Sequence, residues 1–329
     1  MSADASAERF HAHFQEVVRS QLVSVNQHRT RTMRAIVGWW SVLVPVLLAI
    51  GYGLMQLDLS GDAGKFCFSV WFFGLFVALI VPWTKYYDPF RKSFKQQLIA
   101  PLIRAYRDGM TYAPEDSVKR DEFDDSGMFR ERSLTNFKGE DRVDGCIGAT
   151  PFHFSEVDAE NVTSSGSGSN KKRHTYPIFR GLFYVAEFNK DFNGTAYVLP
   201  DRAQRLLGSV GQMLQSGKSP YGELVKLEDP EFEREFVVYS SGQVEARYIL
   251  SSAMMQQLHA LKMRTKKKLR IGFANSRLYV AIASGKNHFE PRLFREIQRS
   301  LFREYWDVLD IFVGIVEELN LNTRIWTKS

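Results

Sequence analysis

Between Leu227 and Leu250 the chain reads LEDPEFEREFVVYSSGQVEARYIL. Glu228, Asp229, Glu231, Glu233 and Glu235 crowd around Arg234, and Glu245 and Arg247 follow. Paired carboxylates can work as general acid and base, and at set separations they hydrolyse glycosides. The same residues also have structural uses. Asp229-Pro230 is a helix start, with an acceptor side chain at the cap and proline at the first position. Glu231 and Glu233 then fall in the first turn, where the positive end of the helix dipole favours them. FVVYS and VEARYIL read as strands about a Ser241-Gly242 turn. In the second of these, Val244, Ala246 and Tyr248 share one face, and Glu245 and Arg247 are neighbours on the other. No spacing fixes two of the carboxylates at catalytic separation, so the acids are expected to be structural. The competing expectation is an unfamiliar acidic enzyme site between Glu228 and Arg247.

Two basic runs are the other candidates. Lys171, Lys172 and Arg173 end a Gly/Ser-rich loop, and Lys266, Lys267 and Lys268 follow a helical segment. Both are candidate contacts for an anionic surface. Few aromatic residues interleave with them, so no nucleic acid is expected as a partner. His11 and His13 are two apart and point different ways on a helix, while His153, His174, His259 and His288 are scattered. The chain has no His-Glu-x-x-His or cysteine-pair pattern and no Gly-x-Ser-x-Gly elbow, and its Gly/Ser loop, ending Gly168-Ser169-Asn170, lacks the final Gly-Lys-Ser/Thr of a phosphate loop. Asp121, Glu122, Asp124 and Asp125 lack the ligand spacing of a calcium loop. No catalytic residue, metal ligand or cofactor is therefore assigned. The two cysteines, Cys67 and Cys146, lie in unlike surroundings, and no disulfide is expected between them.

The scaffold around these groups starts with two apolar runs. Ala35–Leu57 has no charge in 23 residues, and Phe66–Thr84 has none in 19. A bilayer core takes about 20 apolar residues as helix, so each run is long enough to span. The short linker between them makes the pair antiparallel, a transmembrane helical hairpin. Trp39, Trp40, Trp83, Tyr86 and Tyr87 suit the interfacial belts. Arg29, Arg31 and Arg34 precede the first run, and Lys85, Arg91, Lys92 and Lys95 follow the second. The excess of cations at that end places both termini in the cytoplasm. The net charge of +6 over 329 residues agrees with an anionic membrane surface.

Around the hairpin the chain divides into an N-terminal amphipathic helix (1–34), the hairpin (35–84), a juxtamembrane helix with an acidic linker (85–129) and a cytoplasmic domain (130–329). Pro101 is expected to break or kink the juxtamembrane helix. Asn193-Gly194 predicts a tight hairpin between Phe183–Phe192 and Thr195–Leu199, and Asn275-Ser276 predicts a second. Ser251 is set to cap a helix through AMMQQLHALKM, and the segment from Pro291 onward reads as one long helix or two. The fold class is α+β: a helical hairpin followed by an antiparallel sheet with helices.

Three separated stretches, GLFYVAEFNKDFNGTAYVLPD, VKLEDPEFEREFVVYSSGQVEARYILSSAMM and GIVEELNLNTRIWTK, resemble an uncharacterised bacterial membrane-protein family known as a domain of unknown function. The likeness runs in order from about residue 85 to the end of the chain. It implies two membrane helices before a soluble domain, a place in the inner (cytoplasmic) membrane, and LemA-type membrane proteins as partners beside the lipid bilayer. It implies no activity and no catalytic residue. The Gly/Ser loop between Thr163 and Ser169 departs from the family pattern and reads as a tolerated insertion. Together these features predict a membrane-anchored, non-enzymatic interaction or scaffold protein.

Overall fold

The structure is a computed structural model describing residues 8, 10–12, 14, 19–57, 61–166, 172–188, 192–200 and 219–319. It divides into two compact units, a helical one (Glu8–Ala105 with Phe289–Phe302) and a sheet one (Tyr106–His288 with the chain from Arg303).

In the helical unit, α1 (Arg19–Gln56) and α2 (Asp62–Pro82) carry the two apolar runs. The chain continues through a π-helical turn (Trp83–Tyr87), α3 (Asp88–Phe94), a second π-helical turn (Lys95–Ile99) and α4 (Ala100–Tyr106). Pro101 does not end this helix. The wide turn just before it loosens the i−4 ladder, where the proline ring would otherwise clash. The helices of the hairpin touch closely. The Trp71 indole donates to the Leu47 carbonyl at 2.6 Å, and Trp39 to that of Ala78 at 3.1 Å. Gly51 makes the first contact possible, since a Cβ there would lie 2.5 Å from the Trp71 ring.

Phe289–Phe302 is bound to the base of these helices. The Asn26 amide both donates to the Ile297 carbonyl (3.0 Å) and accepts from its N–H (3.1 Å), and Arg29 donates to the Leu293 carbonyl at 2.9 Å. Glu290 receives Lys95 at 2.9 Å and Arg91 at 3.3 Å, with the Tyr87 hydroxyl also in reach. Lys95 is buried there, and the carboxylate helps to offset the cost of burying its charge.

The sheet unit contains β1 (Thr111–Ala113), α5 (Arg120–Asp125), β2 (Asn136–Ile147), β3 (Thr150–Ser165), β4 (Lys172–Glu187), β5 (Ala196–Pro200) and β6 (Glu223–Val225). There follow α6 (Pro230–Glu235), β7 (Phe236–Ser240), α7 (Gln243–Ile249), α8 (Ser252–Thr265), β8 (Leu269–Ala274), β9 (Arg277–Ala283) and the last helix, α9 (Arg299–Glu318), which belongs to this unit from Arg303 on. The described strands make one nine-stranded antiparallel sheet in the order β1-β2-β3-β4-β9-β8-β5-β7-β6. Alternation along the strands loads both faces with apolar side chains. Phe179, Phe183, Tyr197, Tyr239 and Tyr279 join Phe123, Met128 and Phe129 in an aromatic layer on one face. On the other, Phe154 and Tyr184 stack on Phe312 of α9, with centroids 4.3 and 5.3 Å away. The Tyr106 hydroxyl fixes the same helix by donating to Asp310 at 2.6 Å.

Four local expectations meet a different structure. Asn193-Gly194 does not close a hairpin: β4 pairs with β3 and β9, whereas β5 pairs with β8 and β7. The Asn275-Ser276 hairpin is present, both turn residues at φ 53°, and its two strands separate β4 from β5. The expected strand at 243–249 is helix α7. Ala246 and Ile249, three apart, are buried, while Val244 is 82% exposed. The acidic linker holds α5, pinned by the buried ring of Phe123. Helix α9 begins only at Arg299, because the residues after Pro291 are bonded to Asn26 and Arg29 instead.

Candidate functional site

The acidic stretch is dispersed by its own fold. Asp229 caps α6, accepting from the N–H groups of Glu231 (3.0 Å) and Phe232 (3.1 Å). Glu233 accepts from the Leu227 N–H at 2.8 Å, Glu235 lies 3.8 Å from Lys262, and Glu245 accepts from the Asn193 N–H at 2.9 Å. Glu245 therefore reaches away from Arg247 into the loop before β5. Phe232 and Phe236 sit beneath them, fully buried with rings 5.0 Å apart. Each of these acids serves a cap, a loop or an ion pair, and no two form an acid/base pair.

A denser constellation lies where no motif pointed. Glu122 of α5 accepts from His153 of β3 at 2.9 Å and from Arg277 of β9 at 3.1 Å. Arg142 grips Asp144 nearby at 2.7 Å. Burial pushes the Glu122 carboxyl up, but the His153 hydrogen bond and the charges of His153, Arg277 and Arg142 outweigh it and hold the group below the usual carboxylate range. A carboxylate so stabilised is a poor proton acceptor at neutral pH. Its geometry instead ties α5 across β3 and β9, over the aromatic layer. A second tie joins Arg270 to Glu131 (2.7 Å) and to the Met128 carbonyl (2.7 Å), with the Tyr221 hydroxyl donating to the same Glu131. The only signal in the sequence was Phe123 set among acids, an apolar residue that a solvated linker would not need.

The basic runs fall at separate places. Lys266 ends α8 in a left-handed conformation (φ 52°), and Lys267 and Lys268 lead into β8, all three exposed. The Lys268 carbonyl accepts from Ala283 at 3.0 Å, which sets the run at the end of the sheet where β9 finishes. Lys172 and Arg173 open β4 opposite Ser165 and Ser164, also exposed. Lys171 lies outside the described residues. Arg173 is seven residues down β4 from Arg180, roughly 23 Å at strand rise, so the fold does not join the two runs.

Past the end of β9 a cleft of about 280 Å³ is lined among others by Lys138, Glu156, Asp158, Arg180, Lys286 and Asn287. Arg180 and Glu156 both have partners here. Arg180 donates to Asn287 at 3.1 Å and lies 3.9 Å from Asp158, and Glu156 accepts from the His288 N–H at 2.5 Å. Burial, with Lys267 and Lys286 adding repulsion, pushes the His288 imidazole down to about 4. It stays neutral at physiological pH and shares a hydrogen bond with Ser284 at 2.8 Å. This end of the sheet is fixed in place and positively edged.

A family model described as a protein of unknown function (DUF3137) matches residues 177–321. The match starts within β4 and reaches beyond α9, leaving the two apolar helices outside it. No curated protein and no solved structure matches the chain.

Proposed function

We propose that this protein is a membrane-anchored, non-enzymatic interaction protein, with α1 and α2 in the bilayer and the sheet unit on the cytoplasmic side as the binding part. One observation carries this: the most apolar windows of the two long helices are only 11% buried. Phe66, Phe72, Phe73, Val42 and Met55 are among the side chains left open, each more than 60% exposed. A soluble protein rarely leaves so large an apolar surface bare, whereas lipid would cover it. The aromatic residues agree. Trp40 and Trp83 (6.2 Å) and Trp83 and Tyr87 (4.9 Å) cluster at the end where Lys85 lies over Trp39 at 5.9 Å. At the linker end Lys65 is joined to Asp62 at 3.0 Å, so the unbalanced cations stand at the other end.

The dispersed acids of 228–247 favour binding over catalysis. The exposed Lys266, Lys267 and Lys268 give the sheet unit an edge attractive to an anionic leaflet or an acidic partner.

Topology is tested by labelling in a Cys67→Ser background. A membrane-impermeant maleimide should reach Asp62→Cys in intact cells and reach the exposed native Cys146 only after permeabilisation. Labelling of Cys146 from outside would reverse the orientation, and release of the chain by alkaline carbonate would remove the anchor altogether. Co-purification from native membranes, with and without Lys266, Lys267 and Lys268 replaced by glutamine, tests the binding role. The edge has no such role if the same partners are recovered in the same amounts.

A further inference from the structure

The helical unit carries a cleft of about 490 Å³ along α1, lined among others by Leu22, Val23, Gln27, Arg31, Arg34 and Glu296. Asn26 and Arg29, on the same stretch, are engaged with Ile297 and Leu293. Arg31 and Arg34 are not: both are exposed, and neither hydrogen-bonds nor pairs with any described residue. They stand three apart on a helix, so their side chains are neighbours of like charge, roughly 5–6 Å apart at Cβ. Glu296 carries the opposing charge across the cleft and leaves the balance positive.

The position is as informative as the charge. At helix rise, Arg34 and Arg31 lie about 1.5 and 6 Å before Ala35, the first residue of the uncharged run. That is the depth of the headgroup layer, which adds about 5–7 Å on each side of the hydrocarbon. Beyond Arg34 the same helix exposes Val37 and Val42, and nothing fills the space beside Gly38. A pair of free guanidiniums below exposed apolar helix surface matches one molecule with a phosphate head and acyl chains. Guanidinium is the side chain best shaped to hold phosphate oxygens in pairs.

We infer that Arg31 and Arg34, with Gln27 beside them, form a binding site for the phosphodiester of an anionic phospholipid whose chains lie along Val37 and Val42. This rests on the membrane placement of α1. It adds a defined site to what would otherwise be the diffuse cation bias that orients a membrane protein.

The test uses the full chain in detergent and counts bound lipid by native mass spectrometry. The probes are phosphatidylglycerol, phosphatidylcholine with the same chains, and inorganic phosphate. The unaltered chain should retain one phosphatidylglycerol, with phosphatidylcholine and phosphate held far more weakly. Arg31→Gln with Arg34→Gln should lower that affinity about tenfold. Lys226→Gln with Arg234→Gln, an equal loss of charge on the sheet unit, should leave it unchanged. Arg31→Lys with Arg34→Lys should recover only part of it, because the charge returns without the paired donors. Equal retention by the Gln pair and the unaltered chain overturns the site, as does equal retention of the two lipids. Phosphate binding that matches the lipid overturns the lipid as occupant. Carbonate extraction separates the two levels. If the chain stays in the membrane and the Gln pair holds lipid normally, only the site fails; if the chain is extracted, the membrane placement fails and the site with it.

Discussion

Phe72 and Phe183 are the same side chain under opposite conditions. Phe72, on α2, is 65% exposed; Phe183, on β4, is fully buried, with Phe123 at 4.9 Å and Tyr279 at 6.3 Å. The contrast extends to their units. The helical hairpin turns its apolar groups outward and joins its helices through a few close contacts, such as Trp71 over Gly51. The sheet unit turns its apolar groups inward on both faces and puts charge at its edges. Apolar content alone therefore does not say where a core is. What decides is whether a segment can hide its apolar groups against itself, as a sheet sandwiched between layers does, or presents them all round, as an isolated helix must.

The contrast breaks first at the aromatic layer. Phe183→Ala should cost about 3–5 kcal/mol of sheet-unit stability, while Phe72→Ala, outside any protein core, should stay within about 0.5 kcal/mol. Chemical denaturation of the detergent-solubilised chain measures both. A comparable loss in the two variants would mean that Phe72 has a protein partner and that the hairpin is no lipid-facing pair.

Charge burial gives the next largest effect. Glu290→Gln removes the carboxylate that meets the buried Lys95 at 2.9 Å, and the expected loss is about 3 kcal/mol. It should fall on the helical unit, so protease cutting near 289–302 should rise while cutting in the sheet unit stays unchanged. Equal sensitivity in both would show that the two units unfold as one.

In the sheet unit, His288 makes stability depend on pH. Its imidazole is held near 4 in the fold against about 6.5 when unfolded, so the folded state resists the proton. The stability this contributes is complete above pH 6.5 and is lost as the pH falls from there to about 4, up to roughly 3 kcal/mol. Glu122, held below the usual range, works in the same direction at lower pH. A His288→Gln variant should show a flatter stability profile between pH 6.5 and 4. An unchanged slope would mean that His288 is solvated.

The smallest effect belongs to the acidic stretch. Asp229→Ala should cost about 1 kcal/mol through the lost cap, and Glu231→Gln about 0.3–1 kcal/mol through the helix dipole. Thermal unfolding reads both. Loss of a partner or an activity in the Glu231 variant, with its melting temperature held, would reopen the case for chemistry there.

Whatever is local can be read from the order of the residues. The two uncharged runs, the Asp229 and Ser251 caps and the Asn275-Ser276 turn each depend on a few adjacent residues and the polarity around them. So does the α+β class, since strand and helix periods are written along the chain. Which strands became neighbours depends on long-range packing. Asn193-Gly194 has the residues of a tight turn, yet β9 and β8 lie between β4 and β5, because strand pairing depends on partners about a hundred residues away. The segment at 243–249 alternates like a strand and folds as a helix, because its neighbours bury Ala246 and Ile249 and leave Val244 in water. Glu122, His153 and Arg277 meet for the same reason: they come from three distant elements, and no spacing along the chain could have announced them. The cleft at Arg31 and Arg34 joins the two levels. Their charge and their depth beside the apolar run are legible in the sequence, but that they stay unpaired while Arg29 is engaged follows only from where residues 289–302 fold.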